Sequence, residues 1–179
     1  MIIFLGIAGA GKTEQSKLLA DELGYNRISV GELLRKTNDI SVKEKMNTGE
    51  LIDDDTVIAI VEEAIENISS NREFIIDGFP RTLIEATWIA NRQKGSVKVF
   101  QIILNSSEAI VRLKLRNRPD DNDRAVAKRI EEYEDLIKSI LGVFRQKNIT
   151  IFEIDGSKSI DNVHMQVVGY IKQQEGKVA

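Results

Sequence analysis

The sequence predicts an α/β fold: a five-stranded parallel sheet with helices on both faces. Three observations carry this. Short runs rich in Val, Ile and Phe recur along the chain; stretches with apolar residues at helical spacing alternate with them; and the first run, Ile2 to Leu5, leads straight into a glycine-rich turn, Gly6-Ile-Ala-Gly-Ala-Gly-Lys-Thr13. Strands separated by helices are joined by crossovers rather than hairpins, so they pair in parallel, and ligands bind beyond the carboxyl ends of such strands. At 179 residues the chain is about one domain's worth, able to bury roughly 70% of its unfolded surface without staples.

Taken in order, the buried strand Ile2 to Leu5 is followed by a helix over Lys12 to Leu23, with Leu18, Leu19 and Leu23 on its apolar side. Arg27 to Ser29 is a second strand. Gly31 to Ile52 departs from the regular winding with two short helical pieces, and Ser41-Val-Lys-Glu44 within it has the capping-box form. Asp55 to Ile68 carries Val57, Ile60, Val61, Ala64, Ile65 and Ile68 at helical spacing; Glu73 to Asp77 and Val97 to Leu104 are the third and fourth strands. Ser107 is placed to cap a helix over Glu108 to Arg116. Arg116 to Asp123 is a second irregular stretch of extreme polarity, and Asn122 or Asp121 starts a long helix running to about Gln146. Ile149 to Asp155 and Ile160 to Gln173 complete the pattern as strand and helix. The two irregular stretches are either moving flaps or solvated connections. No repeat, low-complexity tract or Pro/Gly linker divides the chain, which reads as a single domain over 1–179 with its core in 1–29, 53–115 and 124–179.

Composition narrows the chemistry. There is no cysteine, so disulfides, thiolate zinc sites and thiol catalysis are excluded; the lone histidine, His164, reads as an ordinary helix residue. Twenty-five basic against 28 acidic residues give a net charge of −3, so no general attraction to nucleic acid or anionic membrane is expected and any anion site must be local. Met1 leads directly into the first strand and no run approaches about 18 apolar residues, which reads as a cytoplasmic chain, monomeric by default.

The turn Gly6–Thr13 has the spacing of a P-loop. Its glycines let backbone N–H groups face a polyphosphate, Lys12 adds charge, and Thr13 offers a hydroxyl to magnesium. A second motif, Phe74-Ile-Ile-Asp-Gly-Phe-Pro-Arg-Thr82, places an acid and an arginine at the end of the third strand, on the same side of the sheet. The acid can hold magnesium water and the arginine a phosphate.

With Ile28-Ser-Val-Gly-Glu-Leu-Leu-Arg35, Thr48-Gly-Glu-Leu-Ile-Asp53, Arg112 to Arg116, Arg118-Pro-Asp-Asp121, Lys128-Arg129 and Asp155-Gly-Ser-Lys158, the chain resembles the adenylate kinase family of nucleoside monophosphate kinases along nearly its whole length. The resemblance implies a P-loop NTPase fold with a small monophosphate-binding insertion at 30–52 and a very short lid at 116–123. It implies reversible, magnesium-dependent transfer of a phosphoryl group from ATP to AMP, giving two ADP. On this likeness Gly9, Ala10, Gly11, Lys12, Thr13 and Glu14 surround the donor phosphates, Arg112 stacks on the donor base and the Lys158 backbone touches its edge. Arg116, Arg118 and Arg129 close on the migrating phosphoryl, Arg35 and Arg81 hold the acceptor phosphate, and Lys12 bridges the donor chain. Val30, Leu51, Ile52, Gly78 and Glu85 complete the acceptor site; Thr13 and Asp77 organise magnesium, and zinc has no place.

Four departures qualify the likeness. Glu14 replaces a hydroxyl near the phosphates, and Ala8 a proline. Val30 stands where adenylate kinases have threonine, and Glu85 where they have a glutamine that pairs with adenine. An ionised carboxylate offers acceptors only, suiting guanine's two donors or the amino group of adenine or cytosine; the plain alternative is a solvated glutamate on a helix. GMP, CMP or UMP as acceptor, and a non-catalytic nucleotide-binding relative, are the readings that stay open. A metabolite kinase is a poor fit because Ser29-Val-Gly-Glu32 lacks its acids, and no guanine-binding Asn-Lys-x-Asp motif is present.

Overall fold

The computed structural model describes residues 1–68, 72–92, 97–116 and 118–175. Its elements are β1 (Ile2–Gly6), α1 (Lys12–Leu23), β2 (Asn26–Ser29), α2 (Val30–Lys36), α3 (Ile40–Thr48), α4 (Asp54–Glu66), β3 (Phe74–Asp77), α5 (Leu83–Arg92), β4 (Lys98–Ile103), α6 (Ser106–Arg116), α7 (Asp123–Gln146), β5 (Thr150–Asp155) and α8 (Ile160–Glu175). The strands form one five-stranded sheet in the order β2-β3-β1-β4-β5, and every pair is parallel.

Alternation along β1 explains the two layers of core. Ile3 and Leu5 point into one apolar cluster with Val57 and Val61 of α4, Ile89 of α5 and Phe144 of α7. Ile2 and Phe4 point into the other with Leu19 of α1, Leu113 of α6 and Val167 of α8. Phe4, Phe100 and Phe152 stack across β1, β4 and β5, at centroid separations of 5.5 and 5.1 Å. Both faces of the sheet are thereby buried, which is why β1 reads as an unbroken apolar run.

The chain passes from β1 to the edge strand β2, returns to β3 between them and then crosses to β4 on the far side of β1, so the connections leave β1 and β3 in opposite directions and open a crevice at their carboxyl ends. Register fixes what borders that crevice. Ser29 pairs with Asp77 across β2 and β3, and Phe4 pairs with Asp77 across β1 and β3. The end of β1, the end of β3 and Ser29 therefore lie side by side.

Helix starts differ in detail from the expectation. Asp39, not Ser41, caps α3: its carboxylate accepts the Ser41 and Val42 N–H groups, so the helix begins before the supposed capping box. Asn105 takes the role given to Ser107, accepting the Glu108 N–H at 2.8 Å. Asn122 caps α7 through the Ala125 N–H at 2.9 Å. Apolar periodicity does not delimit α5, because Leu83 and Ile84 at its start face solvent and spoil a single stripe.

Candidate active site

The β1–α1 turn carries no bulk where a polyphosphate would approach. Gly9 (φ +87°) packs so closely on α6 that a Cβ would sit 2.7 Å from the Ala109 carbonyl. Gly11 (φ +95°) ends the turn in the left-handed region, and a Cβ there would meet nothing within 4 Å. It precedes the first turn of α1, whose N–H groups have no partner within the helix and whose dipole favours an anion. Ala10 is the exception within the turn: its N–H bonds to the Ile7 carbonyl at 3.1 Å and its side chain is buried.

Lys12 folds inward over its own loop. Its Nζ donates to the Gly6 and Ile7 carbonyls at 2.6 and 2.9 Å. Burial lowers its pKa to about 8; Asp77 opposes that shift, and Arg81 and Arg116 add to it. A polyphosphate arriving here would stabilise the charged form, because the lysine lies in a cluster of cations without an anion of matching charge.

Asp77 ends β3 at the floor of the crevice. Ser29 Oγ lies 3.5 Å from its carboxylate, and Arg27 Nη1 lies 3.6 Å away. Arg27 also bonds Glu32 at 2.7 Å, while its buried Nη1 has no hydrogen-bond partner. Sequence reasoning missed Arg27. The available signal was its place on β2 two residues before Ser29, on the same side of the strand.

The arginines are held by an acid pair, Asp120 and Asp121, of which the sequence singled out Asp121 only as a helix start. Arg116 grips Asp121 with two parallel bonds of 2.8 and 2.7 Å, and Arg129 reaches the same carboxylate at 3.1 Å. Arg129 also bonds Asp120 Oδ2 at 3.1 Å and the Met46 carbonyl at 2.9 Å; Arg35 Nη1 stands 3.5 Å from Asp120. Burial works against ionisation of Asp121, but Arg116 and Arg129 outweigh it and hold its pKa below the usual range. Arg118 makes no ion pair among the described residues. Partial burial and the charges of Arg116 and Arg35 lower its pKa despite Asp120 and Asp121. Asn122 Nδ2 donates to the Asn47 carbonyl at 2.8 Å, tying this stretch to α3. With Asp120 and Asp121 buried, the stretch is no plain solvated connection; of the expected lid 116–123, Asn117 lies outside the described residues.

Across the cleft, Arg81 is exposed to the open site, yet the protein around its guanidinium desolvates it and lowers its pKa; its Nε donates to the Gly78 carbonyl at 3.2 Å. Glu85 is not a solvated helix residue: it is 2% exposed. Its Oε2 accepts the Arg81 N–H at 2.5 Å, while Thr82 Oγ accepts the Glu85 N–H at 3.1 Å and donates to Asp54 at 2.5 Å. Burial raises the pKa of Glu85 to about 7 against the pull of Arg81.

These groups share one cleft of about 410 Å³. Eight cationic side chains (Lys12, Lys17, Arg35, Arg81, Arg112, Arg116, Arg118, Arg129) line it against five carboxylates, in a chain whose net charge is −3. Gly9, Gly11, Thr13 and Glu14 border it at the glycine-rich turn, and Val30, Leu51, Ile52, Gly78 and Glu85 at the opposite end. Ala10 and Lys158 do not line it; Lys158 Nζ instead lies 3.9 Å from Asp155. Arg112 lines it while bonded to Glu108 at 2.6 Å. No group of three or more His, Asp or Glu side chains among the described residues could hold a metal alone. Asp77 and Thr13 with phosphate oxygens and water supply the hard oxygen donors that magnesium prefers. No helix among the described residues is long and apolar enough to cross a membrane.

Comparison with known proteins agrees with this geometry. A family model described as adenylate kinase matches residues 4–149. An adenylate kinase of Archaeoglobus fulgidus is 28% identical, over 96% of this chain and 98% of the relative. One from Prochlorococcus marinus (strain MIT 9301) is 32% identical, over 93% and 95%. A third, from Mycobacterium sp. (strain MCS), is 32% identical over 90% and 93%.

Proposed function

The chain belongs to the adenylate kinase family, and on that premise we propose that it catalyses reversible, magnesium-dependent phosphoryl transfer from ATP to AMP. The observation that carries this reading is the convergence of cations from the glycine-rich turn, α2, β3–α5, α6 and α7 on one cleft. Phosphoryl transfer requires positioning and charge neutralisation rather than covalent work by the protein.

In this reading the acceptor phosphate oxygen bonds to the γ-phosphorus as the bond to the β,γ-bridging oxygen breaks, and that oxygen keeps the electron pair. Lys12 turns from the Gly6 and Ile7 carbonyls to the bridging and γ-oxygens. Arg116 and Arg129, held in place by Asp121, meet the equatorial oxygens without reorganising. Arg118 closes from the lid and excludes water. Arg35 and Arg81 hold the acceptor phosphate, and Arg112 covers the donor base. Thr13 and Asp77 would hold magnesium, partly through water, and the ion would supply neutralisation of charge on the donor phosphate oxygens. Asp120 and Asp121 offset part of the repulsion among Arg35, Arg116 and Arg118, and an entering phosphate relieves the remainder, which favours the loaded site.

Incubation with ATP, magnesium and each monophosphate in turn, followed by chromatography, tests the proposal. ADP from AMP is expected; no diphosphate from any acceptor overturns it. The buried carboxylate of Glu85 supports one further reading, a guanine acceptor, because two adjacent donors match two acceptor oxygens.

A further inference from the structure

We propose that Glu85 selects the acceptor base through its own protonation: neutral, it offers one donor and one acceptor, as a glutamine amide does, and takes AMP; ionised, it offers acceptors only and takes GMP. The inference rests on the phosphotransfer reading above and adds a rule for the acceptor.

Geometry sets the rule. Glu85 lines the cleft but is 2% exposed, and its neighbour Ala86 belongs to the apolar cluster that includes Val30, Leu34, Ile52 and Val57. Its Oε2 is committed as an acceptor to the Arg81 N–H at 2.5 Å, so in the neutral acid the proton resides on Oε1. That O–H can donate to adenine N1 while a remaining lone pair accepts from the adenine amino group. Without the proton, the two oxygens face guanine N1–H and its amino group. No hydroxyl competes at position 30, because Val30 occupies it.

Both forms are accessible near neutral pH. Burial raises the pKa to about 7; the Arg81 N–H and charge and the Thr82 N–H favour the ionised form, and Asp54 in the first turn of α4 opposes it. Other charges near these elements act one step removed: Arg129 of α7, Asp77 of β3 and Glu132 of α7 bear on Arg81. The Arg81 guanidinium bonds Gly78, and its backbone N–H, not its guanidinium, makes the hydrogen bond to Glu85.

The test is the ratio of kcat/KM for AMP to that for GMP, between pH 6 and 8.5. Donor-side titrations, Lys12 included, cancel in that ratio because both acceptors meet the same enzyme and the same ATP. The ratio should fall about tenfold per pH unit across that whole range, while Glu85→Gln should hold it flat and in favour of AMP. Equilibrium titrations of AMP and of GMP with the unmodified protein at pH 6 and 8.5 read the same preference without turnover or a variant. Absence of any diphosphate at every pH would refute phosphotransfer itself; diphosphates formed at a ratio that moves less than about threefold, with binding preferences equally fixed, would refute the role of Glu85 alone.

Discussion

Around Lys12 the cleft is made of backbone; around Glu85 it is made of side chains. The donor end consists of a turn with two left-handed glycines and the N-terminus of α1. Its recognition is of phosphate, which every nucleoside triphosphate carries, and it keeps the general P-loop spacing. At the acceptor end, the proposed base contacts fall to Val30, Leu51, Ile52 and Glu85, side chains that line the cleft and are each replaceable without moving the chain. Both departures with a chemical consequence for the base, at 30 and 85, lie there. Glu14 and Ala8 are the donor end's own departures, and Glu14 is exposed, with no ion pair among the described residues. Phosphate binding is thus written into the fold, whereas base choice is written into a few side chains.

The sharpest way to break this contrast is Lys12→Ala. The variant should lose about 10³-fold in kcat, the scale for removing a single positioned group from a charge-stabilising site. The loss should be equal with AMP and GMP as acceptors. A loss confined to one acceptor would show that the two ends are not separable; circular dichroism checks that the turn still folds. Asp121→Ala probes the seam, because Asp121 holds Arg116 and Arg129 at once. Breaking a buried pair costs about 3 kcal/mol, or roughly 6–12 °C in Tm for a chain this long. Turnover should fall with it, since two arginines lose their anchor. Its lowered pKa gives the sign with pH: the contribution of Asp121 is complete above its unfolded value near 3.9 and is lost as pH falls through the folded one. Asp121→Asn should therefore flatten the acid limb of a Tm–pH curve.

Much of this was legible in the sequence because it is local. Every strand, the cradle at Gly6–Thr13 and the Asp77–Arg81 turn arise from neighbours within about ten residues. What stayed hidden depends on partners far apart in the chain. Asp121 looks like a helix start until Arg116 and Arg129 arrive from α6 and α7, and Arg35 and Arg129 then converge on its neighbour Asp120. Arg27 looks like a surface charge until β2 pairs with β3 and sets it beside Asp77. Glu85 looks solvated until α5 packs against α7 and α4 and buries it with Ala86 and Ile89. Conversely, Ala10 and Lys158 entered the expected site through their place in a motif, and the structure gives the Ala10 N–H to Ile7 and sets Lys158 off the cleft wall.

A milder test of the donor end uses pH alone. Lys12 is charged below about pH 8 and neutral above it. Affinity for ATP without acceptor should be flat below that value and weaken by up to about tenfold per pH unit above it. Equilibrium titration measures this, and Lys12→Ala should remove the slope. A persisting slope would assign it to another group. The stability contribution has the opposite sign. Because the folded pKa lies below the unfolded one, Lys12 adds stability as pH rises from about 8 towards 10.5.

Val30→Thr has the smallest expected effect and bears on the acceptor end alone. Val30 is 1% exposed and borders both the cleft and the apolar cluster around β2. A threonine keeps the branched shape but must place its hydroxyl somewhere. Turned into the cluster, the hydroxyl would lack a partner and lower Tm by a few degrees. Turned into the cleft, it gains a partner only when a base is bound, so its hydrogen bond, about 1 kcal/mol, would appear as a KM for AMP lowered roughly three- to fivefold at constant kcat. The KM for ATP should not move, because the donor phosphates are held by a turn that Val30 does not touch. A shift in ATP affinity as large as that for AMP would mean that α2 carries strain from one end of the cleft to the other, and that side chains and backbone there act as one unit.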